Sequence, residues 1–244
     1  MKPSPSRPPQ TGPSRPATTG LFRPRQFATP PALVLVPYFS QPAFFSELQQ
    51  RAARRHSFLH SSLLLFEDHA VISGFLGYPH LFTLLALVGD LAKKEVFFLG
   101  SAGALTDRFA APRAVQVREV IPSSIFKRFS ASTLALKAFA DRSFPAVRGV
   151  SVDVIQRETP AWLAEQRARC AEIVEMELFP LRWFLGRPFR ALVVLSDRVE
   201  ATGIRPFAKR EKFAAEFHRA FNAITRHIAN EKSDPGPSLS RRSR

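Results

Sequence analysis

Short apolar runs alternate with stretches of helical periodicity through most of this chain. Runs that are apolar at nearly every position predict buried strands. Eight strands are predicted, at 32–39, 62–66, 70–73, 95–99, 115–121, 147–155, 170–176 and 189–195. Strands that alternate with helices are typical of an α/β protein, so we expect a three-layer α/β/α domain with a twisted mixed sheet.

Apolar residues at helical spacing predict the helices that cover this sheet. Four are expected, at 78–94, at 160–169, from 177 onward and at about 206–229. Thr159 before Pro160 is typical of an N-cap followed by proline at the first helical position. Pro180 fits only the first turn of the third helix.

Both ends of the chain differ in composition from the middle. Residues 1–31 contain nine prolines among Ser, Thr, Gly and Arg, and 231–244 are rich in Ser and Arg. Such segments bury too little apolar surface to offset the entropy of ordering. We therefore predict one folded domain over 32–230 between two disordered tails.

Charge narrows the possible partners only slightly. The formal net charge of the 244 residues is +15, of which +8 belongs to residues 31–230. This excess favours anionic ligands without selecting one, and it does not predict nucleic-acid binding. The run Arg241-Arg242-Ser243-Arg244 is typical of a solvated segment, with docking on an acidic partner as the alternative.

Cysteine and hydropathy patterns exclude several classes of protein. Cys170 is the only cysteine, which rules out an intramolecular disulfide and fits a reducing cytoplasmic compartment. The spacing of Cys and His matches no metal site, so we expect neither a metal nor another cofactor. No apolar run approaches the ~20 residues of a membrane span, so no membrane partner is expected.

Three short motifs carry the candidate chemistry. The first, Gly100 to Leu105, contains Ser101, Ala102 and Gly103 and is predicted to form a turn after the strand 95–99. Ligands bind at the carboxyl ends of strands in open α/β sheets, and small residues let the backbone approach a ligand. A plain strand-to-helix connection is the alternative.

The other two motifs each contain an acid. Met176-Glu177 follows an apolar run, and Ser196-Asp197 follows the strand predicted at 189–195. A carboxylate can stabilise positive charge that develops in a reaction, and a second carboxyl group can act as a general acid by donating a proton. The alternatives are that Met176 belongs to the core, and that Glu177 and Asp197 cap helices.

The order and spacing of the motifs resemble the nucleoside phosphorylase and nucleosidase superfamily, of the purine nucleoside phosphorylase and methylthioadenosine nucleosidase type. Ser151-Val152-Asp153 and Ser73-Gly74 match further segments of that family, and the likeness covers about 32–228. It implies a nucleoside phosphorylase-like fold, a small-molecule nucleoside as partner and a homo-oligomer.

The resemblance also implies roles for individual residues. Asp197, preceded by Ser196, would act as general acid at N7 of a purine, and Glu177 would bind the ribose hydroxyls above Met176. The turn residues Ser101, Ala102 and Gly103 would line the substrate site. Ile155 stands where the family has a base-stacking aromatic residue, and Gln156 beside it could bond a base edge instead.

The residues that would supply the nucleophile depart from the family pattern. Phe98 and the segment 37–44 lack the phosphate-binding arginines, and Tyr38, Ser40 and Gln41 replace the acid that activates water. Other candidate bases are Glu47, Glu67, Asp68 and His69.

These departures favour hydrolysis of a purine nucleoside or adenosyl compound. Two alternatives stay open. One is a phosphorylase that binds phosphate through non-standard residues, and the other is a catalytically weakened protein that binds a nucleoside or serves in an interaction.

Overall fold

The structure is a computed structural model that describes residues 27–37, 42–58, 61–128, 130, 132–153, 159–207 and 210–233. The strands are β1 Ala32–Pro37, β2 Arg54–Phe58, β3 Ser61–Leu65, β4 His69–Phe75, β5 Glu95–Ala104, β6 Ala114–Pro122, β7 Leu134–Ala135, β8 Ala146–Ser151, β9 Ile173–Glu175, β10 Arg190–Glu200 and β11 Gly203–Pro206. The helices are α1 Pro42–Arg51, α2 Gly77–Leu85, α3 Pro160–Ala168, α4 Leu178–Leu185 and α5 Arg210–Ser233, with short 3₁₀ helices at Leu91–Lys93 and Ser124–Arg128.

All of these strands belong to one mixed sheet, in the order β11-β10-β6-β8-β9-β5-β1-β4-β3-β2, with β7 paired to β6. Parallel pairs, such as β1 with β4 and β5, occur together with antiparallel pairs, such as β10 with β6. Strand β10 also pairs with β5, so that β5, β10, β6, β8 and β9 close into a ring. This confirms the mixed sheet expected from the sequence.

The core lies on both faces of the sheet. Alternate residues of β1 divide between two apolar clusters, with Leu33 and Leu35 in one and Val34 and Val36 in the other. The first cluster includes the buried residues of α2 and α4, and the second includes those of α1 and α5. A strand buried on both faces is apolar throughout, which explains the continuous run in the sequence.

Several predicted strand limits differ from the structure, and at the candidate site two strands extend beyond their predicted ends. Strand β5 continues through Gly100–Gly103, where a turn was expected, and β10 continues through Ser196 and Asp197. At these positions β5 pairs with both β10 and β9, and β10 pairs with β11. Pairing with distant strands therefore extends both elements beyond their apolar runs.

The predicted helix at 78–94 is also too long. Helix α2 ends at Leu85, and Asp90 has a left-handed backbone with φ of 51° before the 3₁₀ helix that follows. Thr159 caps α3 as expected, because its hydroxyl oxygen accepts a hydrogen bond from Trp162 N at 3.2 Å. Pro180 lies in the first turn of α4, which also agrees with the sequence.

The folded unit reaches beyond the predicted boundaries at 32 and 230. Phe27 N donates to Leu87 O at 2.9 Å, and the buried Lys94 ammonium donates to the carbonyls of Thr29 and Pro30 at 2.8 and 3.0 Å. Helix α5 continues to Ser233. The predicted disorder of 1–26 and 234–244 concerns residues outside those described. Within the described residues, none of the helices combines the length and apolarity needed to cross a membrane.

Candidate active site

A cavity of about 240 Å³ lies where the carboxyl ends of β1, β5 and β9 meet the middle of β10. Its lining consists of Pro37, Leu76, Ser101, Ala102, Gly103, Val152, Val174, Glu175, Met176, Glu177, Ser196, Asp197, Val199 and Ile204. The three motifs of the sequence therefore meet in one place.

Most residues predicted for the site are brought together here. Ser101, Ala102 and Gly103 come from β5, and the other four come from the two acidic motifs, Met176-Glu177 and Ser196-Asp197. Ile155 and Gln156 lie outside the described residues, as do Tyr38, Ser40 and Gln41.

Asp197 reaches the cavity because β10 is irregular at this point. The register of β10 against β5 shifts between Leu195 and Asp197, which leaves Ser196 as an extra residue. Such a bulge re-aims side chains, and the consecutive residues Ser196 and Asp197 both line the cavity. Since Asp197 lies within a strand, the alternative that it caps a helix is wrong.

Gly103 on β5 makes room for the carboxyl group of Asp197. These two residues are register partners, and Gly103 is also the partner of Val174 on β9. A Cβ atom at residue 103 would lie 2.8 Å from Asp197 Oδ2 and 2.8 Å from Val199 Cγ2. Both distances are too short for a side chain, so only glycine fits.

The carboxyl group of Asp197 is partly buried at the cavity wall. Burial raises its pKa above the ordinary range, while a hydrogen bond from Ser196 Oγ to Oδ1 at 2.5 Å acts in the opposite direction. A carboxyl group with a raised pKa holds a proton closer to neutral pH, which suits a proton donor.

Glu177 lies just before α4 and is buried, with 6% of its surface exposed. Glu177 is the N-cap residue of α4 by position, as the capping alternative expects, but its carboxylate accepts no hydrogen bond from that helix. Instead, Oε1 accepts a hydrogen bond from Gly77 N at 3.1 Å. Burial raises the pKa of Glu177 to about 7, although backbone N–H groups at Gly77 and Met176 favour the charged form.

Met176 has two kinds of neighbour. It is partly buried against the small apolar cluster that includes Val150, Val152 and Trp162, and it also lines the cavity. The alternative that Met176 belongs to the core therefore accounts for only part of its environment.

Glu175 also belongs to the site, although the sequence, in which it stands directly before Met176-Glu177, predicted no role for it. It lies at the end of β9, lines the cavity and is 4% exposed. Burial and the neighbouring charge of Glu177 raise its pKa to about 8. The available signal was an acid inside an apolar run, immediately before the Met176-Glu177 pair.

The described lining residues carry ionisable groups of one sign only. Three of them are acids, Glu175, Glu177 and Asp197, and none is Lys, Arg or His. Arg198 follows Asp197 but is bound elsewhere, to Phe109 O at 2.9 Å and to Asp107 at 3.1 Å. The described part of the site thus offers no cation to an anionic ligand.

The candidate bases at residues 47 and 67–69 are not in this cavity. Glu67 and Asp68 line a second cavity of about 340 Å³, which also includes Ala32 and Glu95 at the opposite ends of β1 and β5. His69 is paired with Asp68 at 2.5 Å. Glu47 forms an exposed ion pair with Arg51 on α1. None of these four residues lies where it could activate water in the cavity that contains Glu177 and Asp197.

The second cavity adjoins a group of possible metal ligands. Ligand atoms of Glu95, His227 and Glu231 lie within 4.8 Å of one another. The guanidinium group of Arg190 already forms ion pairs with both acids, with Glu231 at 3.3 Å. A protein cation therefore balances these carboxylates.

Comparison with known proteins identifies the fold. No protein-family model and no curated protein sequence matches the chain. Solved structures do match. Purine nucleoside phosphorylase from Toxoplasma gondii in complex with immucillin-H is 14% identical, with a TM-score of 0.65 over 84% of this chain and 92% of that one.

The structures of a nucleosidase and of a hydrolase give similar agreement. The 5'-methylthioadenosine/S-adenosyl homocysteine nucleosidase of Campylobacter jejuni is 14% identical, with a TM-score of 0.59 over 82% of this chain and 99% of that one. A futalosine hydrolase mutant of Helicobacter pylori is 13% identical, with a TM-score of 0.57 and the same coverage. The chain is a divergent protein with the nucleoside phosphorylase and nucleosidase fold, as its motifs indicated.

Proposed function

We propose that this protein cleaves the N-glycosidic bond of a purine nucleoside or a related adenosyl compound. The observation that carries the proposal is the meeting of Glu177 and Asp197, from two motifs distant in sequence, in one cavity of this fold. Breaking the bond requires a leaving base that accepts a proton and a sugar that becomes cationic. The two carboxyl groups supply these two requirements.

Asp197 is the proton donor in this proposal. It shares or transfers its proton to N7 of the purine as the bond breaks, which makes the base a better leaving group. Its raised pKa, caused by burial, supports this role, and the hydroxyl of Ser196 orients the carboxyl group.

Glu177 acts on the sugar. As a carboxylate it accepts hydrogen bonds from the 2' and 3' hydroxyls and stabilises positive charge on the ring, while Met176 packs against the ring. A pKa of about 7 leaves a substantial anionic fraction near neutral pH. Burial makes its interaction with a cationic sugar stronger than it would be in water.

Water is favoured over phosphate as the nucleophile. Binding of phosphate calls for Arg or Lys, or for a cluster of N–H donors, whereas the described lining contains three acids and no basic residue. The carboxylate of Glu177 would repel a phosphate ion. The proposed reaction therefore consumes water and yields a free base and a free sugar.

A panel of purine nucleosides and 5'-substituted adenosines, with product analysis in buffers with and without phosphate, tests the proposal. We expect free sugar in both buffers, with a rate that does not depend on phosphate. Sugar 1-phosphate that forms only with phosphate would select the phosphorylase. Tight binding of a nucleoside without turnover would select the catalytically weakened binding protein.

Replacing Gly103 by Ala should lower kcat/KM about 100-fold, because the methyl group displaces the carboxyl group of Asp197 from its position. Stability should also fall, by about 1–3 kcal/mol, because the methyl group would meet Val199 Cγ2 at 2.8 Å and Val174 Cγ1 at 3.1 Å, and these buried valines cannot rotate away as Asp197 can. Steady-state kinetics and urea unfolding measure the two effects.

Gly149→Ala is the matched control for this substitution. Gly149 is also a strand glycine, but its added Cβ atom would make ordinary contacts of 3.4 to 3.6 Å with Val117 and Ile173. Equal losses of activity in the two variants would show that the fit between residue 103 and Asp197 has no special importance.

A further inference from the structure

The contact that Glu177 makes outside its own segment leads to the turn between β4 and α2. Glu177 Oε1 accepts a hydrogen bond from Gly77 N at 3.1 Å, and Gly77 is the first residue of α2. An N–H group at a helix N-terminus is a favourable donor to a carboxylate, because the helix dipole adds to the bond. The position of this turn therefore affects where the carboxyl group of Glu177 points.

The backbone of this turn is irregular at two glycines. Gly74 has φ of 82° and Gly77 has φ of 68°, both in the left-handed region that glycine adopts without strain. The register of β4 against β1 shifts between Ser73 and Phe75, which leaves Gly74 as an extra residue. At residue 77 an added Cβ atom would meet only Pro79, at 3.7 Å, so conformation rather than space calls for glycine there.

Burial does not hold the turn at the cavity. Leu76 is the N-cap residue of α2, and it lines the cavity with 69% of its surface exposed. An N-cap residue is typically one whose side chain accepts a hydrogen bond from its helix, which leucine cannot do. Hydrogen bonds to the backbone of Leu76 and Gly77 are therefore important for the shape of the turn.

His80 supplies one of these bonds from within α2. Its Nδ1 atom accepts a hydrogen bond from Leu76 N at 3.4 Å, so the ring is neutral and its proton is on Nε2. This Nε2 atom lies 3.0 Å from Ser61 Oγ, and Ser61 Oγ donates to Gly74 O at 3.4 Å. Each group in the network thus donates to the next, and both ends of the network are backbone groups of the turn.

Ser61 anchors this network to the sheet. It is the first residue of β3 and is 2% exposed. A buried hydroxyl group without partners is costly, so its place between His80 and Gly74 is a specific arrangement. A histidine that only capped its own helix would need no partner on β3. The contact with Ser61 instead fixes the ring so that Nδ1 faces the turn.

We propose that His80 and Ser61 are positioning residues that hold the turn at Leu76 and Gly77, and that they thereby orient the carboxyl group of Glu177 toward the sugar. This inference rests on the proposed function of Glu177. Neither His80 nor Ser61 lines the cavity, so both act through the backbone of the turn.

Two amide substitutions separate the roles of the two ring nitrogens. The side-chain oxygen of His80→Asn can take the place of Nδ1 and accept from Leu76 N, whereas His80→Gln reaches toward Ser61 and replaces Nε2. We expect His80→Ala and His80→Gln to lower kcat/KM for a purine ribonucleoside about 10-fold. The kcat/KM of His80→Asn should stay within about 3-fold of the wild-type value.

A double-mutant cycle with Glu177→Ala shows whether the effect of His80 passes through Glu177. The Glu177→Ala variant has no carboxyl group to orient, so adding His80→Ala to it should change kcat/KM by less than about 2-fold. A substitution that only destabilised the fold would cause the same loss in both backgrounds. The loss caused by His80→Ala alone should also be smaller with a 2'-deoxynucleoside, which offers Glu177 one hydroxyl fewer.

Ser61→Ala and Thr83→Ala complete the series. Ser61→Ala removes the group that fixes the ring of His80, and we expect it to lower kcat/KM about 3-fold. Thr83→Ala is the matched control, because Thr83 also lies on α2 and its exposed hydroxyl donates to Pro79 O of the same helix at 3.1 Å. Its kcat/KM should equal that of the wild type.

Amide hydrogen exchange at Leu76 and Gly77, followed by NMR, needs no substrate. Exchange should be faster in His80→Ala and His80→Gln than in the wild type, and unchanged in His80→Asn and Thr83→Ala. If the wild type cleaves no nucleoside, the proposed function fails, while the exchange data still show whether His80 holds the turn.

Several results would overturn the inference. These are a wild-type kcat/KM in His80→Ala, equal losses from His80→Ala with and without the carboxyl group of Glu177, and unchanged exchange at Leu76 in His80→Ala. A loss in His80→Asn as large as that in His80→Gln would show that the acceptor at Nδ1 is not what holds the turn. A wild-type kcat/KM in Ser61→Ala would exclude the role of Ser61.

Discussion

Replacing Asp197 by Asn is expected to lower kcat for purine nucleoside cleavage by about 10²- to 10⁴-fold and to leave the fold intact. Asn has the same shape and can still accept the hydrogen bond from Ser196 Oγ, but it has no acidic proton to give to the departing base. Steady-state kinetics measure the loss, and circular dichroism together with urea unfolding checks the fold.

The choice of substrate sharpens this test. A riboside with a leaving group that needs no proton, such as p-nitrophenolate, should depend far less on Asp197 than a purine nucleoside does. Asp107→Asn is the control, because Asp107 is exposed and paired with Arg198 outside the cavity. Full activity of the Asp197→Asn variant on purine nucleosides would exclude the proposed mechanism.

Replacing Glu177 by Gln should lower kcat/KM by about 10²- to 10³-fold, because a neutral amide cannot stabilise positive charge on the sugar. The wild type should lose activity as pH falls through about 7, where Glu177 takes up a proton. The pH profile of the Glu177→Gln variant should lack this acid limb, that is, the loss of activity as pH falls. A pH series of kcat/KM measures both effects.

A 2'-deoxynucleoside provides a second readout for Glu177. This substrate lacks one of the hydroxyls that Glu177 would bind. The loss of kcat/KM caused by Glu177→Gln should therefore be smaller with the deoxynucleoside than with the ribonucleoside. Glu165→Gln is the control, since Glu165 forms a surface ion pair with Lys127 at 2.7 Å. An unchanged acid limb in Glu177→Gln would assign that ionisation to another group.

The sequence predicts the central strands well because burial on both faces leaves a simple signal. Strand β1 is apolar at every position and is fully buried, and the apolar run at 96–99 likewise lies in the first half of β5. The acidic motifs stand out for the opposite reason, since Glu177 and Asp197 are polar residues that border apolar runs.

Strand limits at the site could not be predicted, because they depend on partners far away in sequence. Gly100–Gly103 has the composition of a turn, yet it lies in a strand because β9 and β10 supply hydrogen-bonding partners on its two edges. The bulge at Ser196 depends on the same pairing. Local propensity contains no information about such contacts.

The sequence did not predict that Glu175 is buried at the cavity or that the candidate bases lie away from it, and the reason is related. Which acids share a cavity depends on how the strands are ordered in the sheet, and Glu67 and Asp68 turn out to lie at its other end. Helix α1, with a mixed composition, and the short strand β11 also gave no clear periodic signal.

Gly103 pairs with β10 on one edge and with β9 on the other, and this gives an estimate of the width of the cavity. Asp197 is its partner on one edge and Val174 on the other, so β10 at Asp197 and β9, which leads into Met176-Glu177, are two strand spacings apart. Two spacings amount to roughly 10 Å, which is comparable to the length of a nucleoside from its base to its sugar. The two ends of such a molecule could therefore reach Asp197 and Glu177 at once, across the width of a single strand.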